Sequence, residues 1–181
     1  MLIGGGDPGV TGGIAFLKLY VGWVPIKVEL FKMPVSPYQV ENKDGTIGNR
    51  NEVDFIALGS LFQELTKRET EEKVFFLERP APWGLSAYSA LSLGSSYAAI
   101  YQAAIDHGFT VYTYEPKIWK AGMGIPPKSK KPVSVALAKE LFPQMFYNLD
   151  KASTDGVAEA LLMAELGRRQ LASSQIGTVA G

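Results

Sequence analysis

"GGDPGVTGG", residues 5–13, sets one carboxylate, Asp7, between a short apolar start and a run of glycines. A phosphate cradle, a metal site and an ordinary hairpin turn would each use such a stretch, and they imply different proteins. Residues 2–6 read as a short strand that ends at Asp7. "GGIAFLKLY" and "VPIKVELFKM" follow, both rich in β-branched or aromatic residues, so the chain opens as strand, hairpin, strand, hairpin, strand.

Outward from this start, "PVSPYQVENKDGTIGNRN" (34–51) is polar and punctuated by Pro, Asn and Gly, and reads as a long loop. "NEVDFIALGSLFQELTKR" has apolar residues at a helical period, with Asn51 as the expected N-cap. "KVFFLERP" reads as a buried-type strand with Glu78 at its end, and "SALSLGSSYAAIYQAAIDHG" as a helix stopped by Gly108. "FTVYTYEP" is another strand; "PVSVALAKELF" is a short helix with Pro132 in its first turn; "STDGVAEALLMAELGRRQL" is the last helix. The order implies an α/β fold: a mixed five-stranded sheet, three antiparallel strands then parallel additions through helical crossovers, flanked by helices. One domain is expected over 1–171, followed by a disordered tail over 172–181.

Composition narrows the class. The chain of 181 residues is 46% hydrophobic and 20% charged, and it has no cysteine, which removes disulfides and thiolate metal sites. No secretion signal and no apolar run long enough to span a bilayer is read, so a cytoplasmic setting (bacterial or phage-infected host) or an organelle nucleoid is expected. Eighteen basic residues balance eighteen acidic ones. The charge is nonetheless segregated: Lys117, Lys120, Lys128, Lys130 and Lys131 fall close together, with Glu115 the only acid nearby. Neutrality overall therefore does not exclude an anionic partner.

Four acids stand out by position. Asp7 and Glu78 end strands, while Asp155 and Glu159 lie four apart in the last helix and so share a face. That helix is otherwise rich in Ala, Val and Leu, and an unpaired charge beside a buried face is expensive. Taken singly, such acids are ordinary helix-dipole or surface charges. Taken together they suit hard divalent cations, which bind through carboxylates from separate elements, and two such ions can clamp the oxygens of a phosphodiester. The single histidine, His107, sits at a helix end and reads as a C-terminal cap.

"GGDPGVTGGIAF", "FFLERP", "EPKIWKAGMGIPPKSKKPVSVALAKELFP" and "TDGVAEALLMA" resemble, in order, the motifs of RuvC-like Holliday junction resolvases of the RNase H-like superfamily. The last block looks closer to the phage and plant-chloroplast branch than to bacterial RuvC, whose final motif has its two acids three apart. The resemblance spans about residues 3–166. It implies a Mg²⁺-dependent nuclease, with Mn²⁺ able to substitute and two ions per active site, that works as a homodimer and nicks two opposed strands of a four-way DNA junction. Asp7, Glu78, Asp155 and Glu159 match the family's metal-binding acids, and Lys131 matches a lysine near the scissile phosphate, with Lys128 and Lys130 close beside it.

For DNA contact the expected set is Lys117, Lys120, Lys128, Lys130, Lys131, Arg50 of the loop 34–51, and Ser95 and Ser96 of the helix after Glu78. Gly94 reads equally as a site of close helix packing. Trp119 reads as a core anchor, and Trp83 and Tyr88 as core or dimer packing residues. "DPGVTGG" also resembles the phosphate loop of actin- and sugar-kinase-like ATPases, but those need two such subdomains, so no nucleotide cofactor is expected. An RNase H-type nuclease acting on another nucleic acid, or a non-catalytic junction-binding module, are the alternatives within the same fold.

Overall fold

The computed structural model describes residues 1–20, 22–67, 71–81, 83–147 and 151–178, with the side chains of 151–153 and 175–178 left aside. Strands β1 (Leu2–Asp7), β2 (Gly13–Leu19) and β3 (Pro25–Lys32) form an antiparallel meander. Strands β6 (Lys73–Glu78) and β7 (Thr110–Tyr114) add in parallel on the other side of β1, giving the order β3-β2-β1-β6-β7. The mixed five-stranded sheet expected from the sequence is the one observed.

Residues 34–51 are not a loop. They form most of a hairpin, β4 (Val35–Glu41) and β5 (Ile47–Val53), which pairs only with itself. Its strands lack apolar alternation because neither face is buried in the main core, and this hid them. The turn is legible in hindsight: Asp44-Gly45 is a strong hairpin signal, and Gly45 takes φ +81°. The hairpin also moves the start of α1 (Phe55–Thr66). Asn51 lies within β5, and the cap is Asp54, whose side chain accepts the Ala57 N–H at 2.9 Å. Val53 and Leu58 flank that cap as buried members of one core cluster, the pattern of a hydrophobic staple.

Alternation along the strands sorts the core into two layers. Leu2, Phe16 and Phe75 face α1 and α2 (Ala87–Asp106), where Phe16, Phe62, Phe75 and Phe109 meet edge-on with ring centroids 5.5–6.0 Å apart. Ile3, Val74 and Phe76 face the other way, toward α5 (Lys151–Thr178), joined by Trp119 of α3 (Pro116–Gly122) and Ala138 of α4 (Lys131–Leu141). A 3₁₀ turn, Pro143–Phe146, precedes α5. The α5 backbone stays helical over 172–178, where the sequence reading places a tail, and 179–181 lie outside the described residues.

Two glycines of the opening stretch, Gly5 and Gly13, are explained by α5. A Cβ on Gly5 would stand 2.1 Å from the Ala160 carbonyl oxygen, and one on Gly13 would stand 2.7 Å from the Val157 nitrogen. Gly12 makes an isolated bridge with Gly156, where the two backbones touch. These glycines let a helix lie directly on the strands, and in that stretch Gly9 alone takes a left-handed φ, +117°.

Candidate metal centre and basic rim

Register and parity place the first two carboxylates. β1 and β6 run parallel with Gly6 opposite Leu77, so Asp7 and Glu78 leave adjacent strands side by side. Asp7 follows Ile3 and Gly5 at the two-residue period, and Glu78 follows Val74 and Phe76, so both aim at the α5 layer. From α5, Glu159 meets them. One carboxylate oxygen from each of Asp7, Glu78 and Glu159 lies within 4.8 Å of the others. Asp7 and Glu159 are buried, at 6% and 3% exposure.

Asp155 does not join this group among the described residues, although it shares a helix face with Glu159. Four residues along a helix is about 6 Å of rise, which carries Asp155 past the strand ends. The spacing thus brings one acid of the pair to the strands and leaves the other a turn away, half-buried.

Convergence has an electrostatic cost. Burial holds the Asp7 carboxyl well above the usual range, reinforced by the charges of Glu78 and Glu159 and opposed by Lys131 and Lys120. Glu78 is also raised, first by burial and then by Glu159, against the Trp119 hydrogen bond and the same two lysines. Three carboxylates from three elements at this separation form an all-oxygen donor set, the kind that Mg²⁺ or Mn²⁺ accepts.

Neighbouring side chains anchor the acids. Trp119 Nε1–H donates to Glu78 Oε2 at 2.6 Å, and Ser134 Oγ–H donates to Glu159 Oε1 at 2.9 Å. Lys120 Nζ pairs with the same Glu159 oxygen at 2.8 Å. Ser96 Oγ accepts the Gly9 N–H at 2.8 Å, tying α2 to the turn after Asp7. Sequence reading treats Trp119 as a core anchor, and it is fully buried. Its second task, and that of Ser134, carried no sequence signal, because no motif spacing links residues 41 and 25 apart in the chain to their acids.

The expected DNA-contact residues separate into groups. Lys117 and Lys120 lie on α3, Lys131 opens α4, and only Lys128 and Lys130 belong to the intervening loop. Lys117, Lys120 and Lys128 line a groove of about 480 Å³ with Ile125, Pro126 and Pro127. Lys128 is held there with φ +62°, a conformation few side chains adopt. Ser96 is fully buried beneath Gly9, so its hydroxyl faces the protein and not a ligand. Ser95 is exposed and lines a small cavity of about 130 Å³ with Tyr38, Phe55 and Tyr88. Arg50 lies over the Tyr88 ring, 4.1 Å from its centroid, and Tyr88 shares a 2.7 Å hydroxyl contact with Tyr38. Trp83 is not a core residue: it is 88% exposed. His107 Nδ1 lies 2.8 Å from the Ala103 carbonyl oxygen, as a cap would.

The strand order and the crossover helices define the class: an RNase H-like fold of the RuvC type. Solved structures agree. The chain superposes on Thermus thermophilus RuvC in complex with Holliday junction substrate with a TM-score of 0.61, at 17% identity over 96% of each chain. A second Thermus thermophilus RuvC structure gives 0.57, at 18% identity over 94% of this chain and 97% of that one. No protein-family model matches the sequence, and no curated protein matches it. Among the described residues no helix is long and apolar enough to cross a membrane.

Proposed function

We propose that this chain is a metal-dependent endodeoxyribonuclease that resolves four-way DNA junctions by paired, symmetric nicks, closest to the phage and plant-chloroplast branch of RuvC-like resolvases. The observation that carries the reading is the convergence of Asp7, Glu78 and Glu159 within 4.8 Å, beside a rim of lysines. These three would hold divalent cations, two per site, with Asp155 at the periphery. Bound Mg²⁺ supplies charge neutralisation at the phosphate and a more acidic water. The protein's own part is to bring the carboxylates together and aim them, with Lys131 and Lys120 countering the negative charge of a phosphate drawn to the same place. Lys117, Lys128 and Lys130 extend the positive rim along the backbone, so binding should weaken with salt.

The same reading needs two copies for two cuts, and α2 supports a second copy as partner. Ala87, Leu91, Gly94, Ala98, Tyr101 and Ile105 recur at alternating spacings of four and three, and all are exposed; Leu91 reaches 70%. Among the described residues nothing stands within 4 Å of a Cβ on Gly94, so its close-packing role is not fulfilled by them. Over 87–106 the only charged residue is Asp106. An uncharged surface is compatible with itself, which an isologous two-fold contact requires.

The test is Asp7→Asn assayed on a four-way junction, a linear duplex and an RNA–DNA hybrid at equal concentration. Retained junction binding with cleavage lost in Mg²⁺ supports the mechanism, and a mutant that still nicks overturns it. Preference of the wild type for the hybrid would replace the junction substrate while sparing the metal chemistry. Leu91→Glu followed by light scattering tests the α2 contact: it should leave a monomer, whereas a wild-type monomer at micromolar concentration overturns the dimer.

A further inference from the structure

Two of the acids in the cluster are held by donors that carry no charge. Trp119 is the largest fully buried side chain, packed in the α5 layer with Ile3, Phe76 and Leu161, so its indole N–H has a fixed direction. It meets Glu78 Oε2 at 2.6 Å, a short contact for a nitrogen donor. Ser134 is 1% exposed on α4 and meets Glu159 Oε1 at 2.9 Å. α3 and α4 thus each send one neutral donor inward to a different glutamate.

The chemistry of these donors differs from that of lysine. An ammonium neutralises the carboxylate it binds and competes with any cation for it; Lys120 does so at Glu159. An indole is a donor only, with no lone pair to offer a metal and no second protonation state in reach, and a hydroxyl donates without adding charge. Such groups fix one glutamate oxygen without adding charge of their own: Glu78 keeps its negative charge for the ion, while at Glu159 Lys120 shares the oxygen that Ser134 fixes. Side chains that orient metal ligands from behind commonly govern metal affinity by one to two orders of magnitude.

We infer that Trp119 and Ser134 are positioning residues of the metal centre, which clamp one oxygen of Glu78 and of Glu159 so that the other is presented to a divalent cation. This rests on the metal reading of the acidic cluster. The inference also makes Trp119 a built-in reporter. A cation that shares the Glu78 carboxylate changes the charge hydrogen-bonded to the indole, so the Trp119 emission should respond to metal.

The experiment uses the full chain and Mn²⁺ or Mg²⁺ alone, without DNA. Calorimetry or Mn²⁺ spin resonance would measure affinity for the wild type, Trp119→Phe, Ser134→Ala and Ser134→Thr, beside thermal unfolding of each metal-free protein. Trp119→Phe and Ser134→Ala should each bind Mn²⁺ about 10- to 100-fold more weakly. Ser134→Thr, which keeps the hydroxyl, should return toward wild type. With Trp23 and Trp83 changed to Phe, the remaining Trp119 emission should shift on adding Mg²⁺, with the calorimetric midpoint. Folded Trp119→Phe and Ser134→Ala proteins that bind Mn²⁺ as tightly as the wild type overturn the inference and leave the metal site standing. A wild type that binds no Mn²⁺ overturns the metal reading itself.

Discussion

The Ser96 hydroxyl oxygen accepts the Gly9 N–H at 2.8 Å, joining two points 87 residues apart and fixing the turn that follows Asp7. Removing this acceptor leaves a part-buried donor without its partner, at a cost of about 1–3 kcal/mol. Ser96→Ala should therefore lower the denaturant midpoint with an unchanged slope. Because the turn positions Asp7, cleavage should fall further than the loss of folded protein accounts for. Chemical unfolding and single-turnover cleavage of the same preparation check both.

Glu159 and Asp155 should differ sharply although four residues separate them. Glu159→Gln removes a member of the converged cluster, and cleavage should vanish as in Asp7→Asn. Asp155→Asn removes a carboxylate outside it, and cleavage should stay within about tenfold, roughly 1.4 kcal/mol of barrier. Equal losses in the two variants would show that metal binding draws Asp155 into the site.

Gly156 is a packing position. A Cβ there would stand 2.4 Å from the Thr11 carbonyl oxygen and 2.5 Å from the Gly12 carbonyl carbon. Gly156→Ala should push α5 away from the β1–β2 turn and destabilise the fold by about 1–3 kcal/mol, the range for forced overpacking. A melting temperature equal to wild type would contradict the close approach of these backbones.

The raised Asp7 and Glu78 carboxyls give stability a definite sign with pH. Between the ordinary carboxylate range and their raised values, the folded state binds more protons than the unfolded state. Metal-free stability should therefore fall as pH rises through that window. A divalent cation needs both groups ionised, so its affinity should rise over the same window, with protons released on binding. Thermal melts with and without Mg²⁺ across that range test this; the stabilisation by Mg²⁺ should grow with pH.

Much of the fold was legible because strand and helix periods are local. "KVFFLE" and the glycine-flanked first strand announce buried strands, and the acids at their ends mark where a site would lie. The hairpin over 35–53 carries little signal in the sequence because its strands bury no continuous face, which leaves turn chemistry as the only sign. The inward role of Ser96 is hidden for a related reason: a serine in a helix looks the same whether it faces solvent or a backbone N–H from a distant turn.

The sequence alone determined the α/β order, the three-strand opening and the four candidate acids Asp7, Glu78, Asp155 and Glu159, since each is set by residues near it in the chain. Tertiary structure decided which acids meet. Parallel register aligned Asp7 with Glu78, and backbone contact at Gly5, Gly13 and Gly156 drew α5 close enough to deliver Glu159. The same approach left Asp155 a helical turn away. It also placed Trp119 and Ser134 behind the glutamates, because hydrogen bonds between remote residues depend on how elements pack and not on spacing along the chain.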